Sequence, residues 1–271
     1  MRLAIDHSTH YTFSGPATYG LQRLRLTPRS GLGQTVESWT IHLSGARLQV
    51  EYEDENTNGV TLIALEPDVT EVTIRCEGVV ETLDQAGVVG RHTGFLPLWH
   101  YRQATSLTQP GARLRALVGS VSGGGGDQLQ TLHRLSAAVH RAIDYKLGHT
   151  DSATGAEAAL AAGMGVCQDH AHVFIAAARL MGVPARYVSG YLLMDDRVDQ
   201  DAGHAWAEAH VDGLGWIGFD IANGMCPDER YVRVATGRDY GEAAPITGVR
   251  YGAHDESMHV TLAVGQQRME Q

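Results

Sequence analysis

The 271-residue chain reads as an α+β protein: an antiparallel β-sandwich or barrel-like unit, then helices packed on an antiparallel sheet. Three observations predict this. Residues 1–84 hold six short runs rich in β-branched and aromatic residues, parted by turn formers. The middle of the chain carries apolar residues at helical spacing behind a capping aspartate. Beyond residue 184 short strand-like runs return.

In the first unit, strands are expected at residues 10–13, 21–26, 36–43, 47–52, 60–65 and 72–76. Ser38-Trp39-Thr40-Ile41-His42-Leu43 alternates polar and apolar, as a half-buried strand does. Ser14-Gly15-Pro16 and Asn56-Thr57-Asn58-Gly59 supply turns. Residues 85–112 have weak periodicity and hold Gly87, Gly90, Gly94, Pro97, Pro110 and Gly111. They are expected to connect the units, with Phe95-Leu96-Pro97-Leu98-Trp99 packed against a neighbour.

Residues 113–271 form the second expected unit. Four glycines at 123–126 punctuate it; no Gly-Lys-Ser/Thr follows, so they are not a phosphate loop. Asp127 can cap a helix whose stripe is Leu129, Leu132, Leu135, Val139 and Ile143, with Gly148 as its expected end. A short alanine-rich helix at 156–162 precedes Gly163-Met164-Gly165 and a helix opened by Cys167 and stopped by Gly182 and Pro184. Strands are expected at 185–193, 204–211 and 215–220, then at 231–234, 247–251 and 259–264.

Net charge is −10, with one lysine, Lys146, and no basic cluster, which argues against nucleic acid and anionic membrane as partners. The first residues lack the apolar core of a signal peptide, and no stretch reaches transmembrane length. Three unevenly spaced cysteines, Cys76, Cys167 and Cys226, do not suggest a disulfide framework; a reducing, cytoplasmic setting is expected.

The stretch Gly165-Val166-Cys167-Gln168-Asp169-His170-Ala171-His172 places a thiol at the start of an apolar helical run. A helix N-terminus favours thiolate over thiol. Gly203-His204-Ala205-Trp206 and Gly215-Trp216-Ile217-Gly218-Phe219-Asp220 follow. If their strands are antiparallel neighbours, joined at Asp212-Gly213-Leu214-Gly215, the start of one lies beside the end of the other. Cys167, His204 and Asp220 are therefore read as nucleophile, base and orienting carboxylate. Cys76, in a β run, and Cys226, before Pro227, are read as structural. The backbone N–H of Cys167 is the natural first oxyanion donor, and Tyr145 and Gln168 are the candidate side-chain donors, Tyr145 preferred. A rival reading gathers Cys167, Asp169, His170, His172 and His204 into a zinc site; positions 167, 169 and 172 share no tight helix face, and no second Cys/His pair completes it.

With these motifs, Arg179-Leu180-Met181-Gly182-Val183-Pro184-Ala185-Arg186-Tyr187-Val188-Ser189-Gly190-Tyr191, His204-Ala205-Trp206-Ala207-Glu208 and Gly237-Arg238-Asp239-Tyr240, the second unit resembles the bacterial branch of the transglutaminase-like superfamily of papain-related cysteine enzymes. The β-rich start, with His10-Tyr11-Thr12-Phe13, Leu24-Arg25-Leu26-Thr27-Pro28 and Gln34, is similar to the N-terminal domain that accompanies that branch. The resemblance implies a transglutaminase-like catalytic core of helices on an antiparallel sheet, the same Cys167, His204 and Asp220, and no metal or other cofactor. Two departures stand out: Ile221-Ala222-Asn223 where the family commonly has Pro-Thr-Asn, and Gly203 where Ser is frequent before the histidine. Family members include protein cross-linkers, peptidases, deglycosylating amidases and inactive relatives. The leading expectation is a thiol amide hydrolase acting on a peptide, protein or peptide-like substrate. The alternatives are a transglutaminase, which passes the acyl group to an amine, and a non-catalytic binding or scaffold protein. The sequence leaves oligomeric state open.

Overall fold

The protein is described here by a computed structural model, over residues 1–123, 125–194, 198–200, 202–252 and 255–267. The strands of the first part are β1 (Arg2–Ala17), β2 (Tyr19–Thr27), β3 (Gln34–Ser44), β4 (Ala46–Glu53), β5 (Gly59–Leu65) and β6 (Val69–Thr82), followed by a short β7 (Val88–Gly90). Then come α1 (Ala112–Ser122), α2 (Gln128–Ala142), β8 (Asp144–Tyr145), α3 (Ala156–Ala162), β9 (Met164–Gly165) and α4 (Cys167–Leu180). The rest is β10 (Ala185–Leu192), β11 (Asp199–Gln200), β12 (His204–Val211), β13 (Gly215–Phe219), β14 (Tyr231–Gly237), α5 (Tyr240–Ala243), β15 (Ile246–Tyr251) and β16 (Glu256–Gln266).

Three antiparallel sheets organise these elements. One runs β11-β16-β1-β6-β3, a second β15-β2-β5-β4, and a third β14-β10-β12-β13-β7. Tyr11, Phe13 and Ile74 from the first meet Leu24, Ile63 and Leu65 from the second in one apolar core, as two stacked sheets require. Leu3, Ile5, Val80 and Val264 of the first sheet also pack on Tyr191, Val232 and Val234 of the third. The α+β class is thus observed, with the helices on one face of the third sheet.

Strand pairing cuts across the sequence boundaries. β16 pairs with β1 from Leu3↔Gln266 to Phe13↔Glu256, and β15 pairs with β2. The last strands therefore complete the sheets of the first. β7, from the connecting segment, pairs with β13. Arg179 of α4 fastens the rest of that segment: its buried guanidinium donates to Tyr101 O, Thr108 Oγ1 and Ala185 O at 2.8–2.9 Å.

Asp127 caps α2 as expected, its side chain accepting from Gln130 N at 2.8 Å. The helix ends earlier than Gly148. Ile143 is extended (φ −130°), because Asp144 and Tyr145 leave the helix to pair with Met164 and Gly165. α1 was not expected; Leu114, Leu117, Val118 and Val121 are its apolar face. The Phe95–Trp99 patch does not pack as expected. Phe95 is 81% exposed and Trp99 58%, and Tyr101 is buried instead.

Candidate active site

Cys167 is the first residue of α4 and is half-buried. The chain enters extended, with Gly165 paired to Tyr145. Asp169 folds back over this entry: its Oδ2 accepts from Val166 N at 2.8 Å and from Thr150 Oγ1 at 2.7 Å. A Cβ on Gly165 would stand 2.5 Å from that oxygen, so only glycine lets the acidic cap reach across. His170 pins the same turn, with Nδ1 2.9 Å from Val166 O and Nε2 3.0 Å from Ile143 O. Behind it, Ala171 and residues 173–178 are buried, so the helix runs through the core and carries Cys167 at its tip.

His204 opens β12 and is buried. Its Nε2 lies 2.6 Å from Asp220 Oδ2. Nδ1 is the ring nitrogen that Asp220 leaves over, and Cys167, at the tip of α4, is among the groups that raise the imidazole's pKa. Trp206 stacks beside the imidazole, with centroids 6.2 Å apart and planes at 28°. Gly190, opposite His204 in the pairing, makes room for that indole: a Cβ there would meet Trp206 at 2.7 Å and Val232 O at 2.1 Å.

Asp220 stands just past β13, fully buried. The chain turns back at once, with Asp220 and Met225 exchanging backbone hydrogen bonds of 2.8 and 3.1 Å. Asn223 closes the turn on the carboxylate: its N donates to Oδ1 at 3.1 Å and its Nδ2 to Oδ2 at 2.7 Å. The Tyr231 hydroxyl donates to Oδ2 at 2.8 Å. His140 of α2 holds the turn through Ile221 O at 2.8 Å. The departure at Ile221-Ala222 therefore leaves the turn intact, because Asn223 supplies its bonds.

The electrostatics follow from these contacts. Burial alone would push the Asp220 carboxyl up, but hydrogen bonds from His204, Tyr231 and Asn223 outweigh it and hold the group below the usual carboxylate range. Burial alone would push His204 down; Asp220 and Cys167 outweigh it and lift the imidazole to about 10. The site thus favours an imidazolium beside the sulfur. The other thiols differ. Burial lifts Cys76 to about 12 and raises Cys226, which disfavours thiolate at both.

The zinc reading finds no geometry. His170 is spent on two carbonyls, and His172 Nε2 accepts from Tyr240 N at 3.1 Å. Among the described residues no group of three or more His, Cys, Asp or Glu side chains is placed to hold a metal. Of the oxyanion candidates, Tyr145 is paired beside Gly165, is half exposed, and stacks on His170 at 6.3 Å. Gln168 is turned toward Ser152 O at 3.5 Å. Asn223 and Tyr231 are the contacts that sequence reading missed. Asn223, three residues after Asp220, carried an Asx-turn signal. Tyr231 lies on another strand and carried no local signal.

A transglutaminase-like superfamily profile matches residues 115–221, and a bacterial transglutaminase-like N-terminal region matches residues 3–81. An uncharacterized protein of Mycobacterium leprae is 30% identical over 97% of this chain and 98% of its own. An uncharacterized protein of Mycobacterium tuberculosis is 36% identical over 48% of this chain and 45% of its own. A crystal structure from Cytophaga hutchinsonii, of a protein provisionally named a cysteine protease, superposes with a TM-score of 0.78 at 20% identity, covering 100% of this chain and 92% of that one. No helix among the described residues is long and apolar enough to cross a membrane. The fold, the two matched regions and the full-length relative together show that the chain belongs to the transglutaminase-like superfamily of papain-related cysteine enzymes.

Proposed function

We propose that the protein is a cysteine-dependent amide hydrolase for peptides or peptide-like compounds, acting through Cys167, His204 and Asp220. The observation that carries this reading is the 2.6 Å bond from His204 to Asp220, with Cys167 at the head of α4 electrostatically coupled to the same imidazole. The Cys167 thiolate attacks the carbonyl carbon and the C=O electrons move to oxygen. The backbone N–H of Cys167 meets that oxyanion, with Tyr145 as the side-chain donor. The His204 imidazolium gives its proton to the leaving nitrogen, the C–N bond breaks, and a thioester remains. Water then attacks the thioester, its proton passes to His204, and the C–S bond breaks to release the acid and restore the thiolate. Asp220 keeps the imidazole in the tautomer and orientation that both steps need.

The test is mass spectrometry of a diverse peptide library incubated with the protein and a labelled primary amine, with Cys167→Ala as control. Cleaved peptides absent from the control establish the hydrolase. Label on glutamine makes the protein a transglutaminase instead. Alkylation offers a second check: reactivity of Cys167 well below the ordinary thiol range of roughly 8.5 should be lost in His204→Ala.

A further inference from the structure

One sizeable cavity does not include Cys167 in its lining. It measures about 670 Å³ and lies on the other face of the third sheet, between β10, β12, β13 and β14 and the loops of the first part of the chain. Its floor is an unusual charge arrangement. Glu208, fully buried, takes Arg186 Nε on one oxygen at 2.6 Å and Arg233 Nε on the other at 2.8 Å. One carboxylate thus serves two guanidiniums, and a positive charge is left over. The Arg186 guanidinium carbon sits over the Trp216 ring, 4.0 Å from its centroid. Arg233 is a third exposed and lines the cavity beyond its bond to Glu208.

The remaining carboxylates on the wall do not supply the missing charge. Glu53 pairs with Arg29, and Asp228 pairs with Arg230 at 2.7 Å. Arg91, at the rim, has no carboxylate partner among the described residues. Arg233 is also held still: Gln34 Oε1 accepts from Arg233 N at 2.8 Å, and Gln34 Nε2 donates to Arg233 O at 2.9 Å. A fixed guanidinium facing a cavity of small-molecule size, with the exposed apolar side chains of Phe95 and Leu32 on the same lining, is a receptor for a planar anion joined to an apolar body.

We propose that this cavity binds the carboxylate of a small acylated amino acid or of a peptide C-terminus, with Arg233 and Arg91 as its cationic contacts and the exposed side chains of Phe95 and Leu32 as its apolar walls. The site does not depend on the Cys167 chemistry. It does touch the catalytic side: Trp206 and Tyr231 are among its lining residues, and they contact His204 and Asp220 respectively.

The experiment is calorimetric titration, with tryptophan fluorescence in parallel, of the full chain and its Cys167→Ala variant. The probes are N-acetylphenylalanine and its amide, and a tripeptide with a free or an amidated C-terminus. The proposal expects the acid to bind about tenfold or more tightly than its amide, as loss of a charge-assisted bond implies, equally in Cys167→Ala. Binding by both acids assigns the site to the bare carboxylate; binding by the tripeptide alone assigns it to a peptide terminus. Arg233→Gln should abolish the preference. Because that change disturbs the buried pair, Arg91→Ala, which leaves Glu208 and both its partners in place, should weaken the acid severalfold with an unchanged melting temperature. Equal affinity for acid and amide, an acid preference that survives both substitutions, or no saturable binding by any of the four probes overturns the proposal.

Discussion

The two faces of the β12–β13 hairpin are built to different rules. Toward α4 stand Ala205, Ala207 and Ala209 with Ile217 and Phe219, all in one apolar core. Away from it stand Trp206, Glu208 and Trp216, while His204 and Asp220 lie at the end of the hairpin, within reach of Cys167 at the tip of α4. Alternation along a strand sends neighbours to opposite faces, so the same eight residues of β12 serve both. The alanine face lets the cysteine helix come close. The other face and the end of the hairpin bury charges, and each has a partner: Asp220 has His204, Tyr231 and Asn223, and Glu208 has two arginines. One face is therefore sensitive to volume and the other to charge and hydrogen bonding.

Breaking that contrast gives graded expectations. Cys167→Ala should abolish turnover and leave the thermal midpoint nearly unchanged; retained turnover in a steady-state assay would reassign the nucleophile. Asp220→Asn should cost roughly a hundredfold or more in kcat, because the amide favours the wrong imidazole tautomer. Its pH profile sharpens the test. In the parent, His204 keeps its proton up to about pH 10, so the alkaline fall in activity belongs there; in Asp220→Asn it should move to lower pH. The linked stability has the same sign. The raised imidazole contributes fully below about 6.5 and loses its contribution as pH rises through about 10, so melting curves of parent and Asp220→Asn should converge at alkaline pH.

On the packing face, Ala207→Leu adds volume to a site with no exposed surface and should destabilise by ~1–3 kcal/mol in denaturant titrations, a loss that no pH change restores. Smallest is Tyr231→Phe. Removing one donor to Asp220 should cost about 1 kcal/mol, roughly fivefold in kcat, with KM unchanged. An unchanged rate would show that Asn223 alone suffices to hold the carboxylate.

Much of this was readable in advance because local chemistry fixed it. Alternation and turn residues marked the strands of both units, and β12 runs over the residues expected of it. The hairpin turn brought His204 to Asp220 as the spacing required. What escaped notice depends on long-range partners. Ile143 continued a helical stripe, yet the chain left the helix there because Met164 and Gly165 offered a strand. Tyr231 and the Arg186–Glu208–Arg233 group become meaningful only once three strands lie side by side. An apolar run such as Phe95–Trp99 suggested burial, but hydrophobicity does not say whether a partner surface is within reach.

The pairing of β16 with β1 has a consequence for how the molecule is made. β1 must wait for an eleven-residue partner that lies about 240 residues further along the sequence, and β15 must likewise reach β2. Until then β1 has a neighbour only in β6, and one edge of a long strand stays open. The helices and the His204–Asp220 hairpin are synthesised in that interval. Sheet closure is thus a late event relative to the helices, dominated by contacts distant in sequence, and β1 stays open to edge-to-edge association until β16 is available.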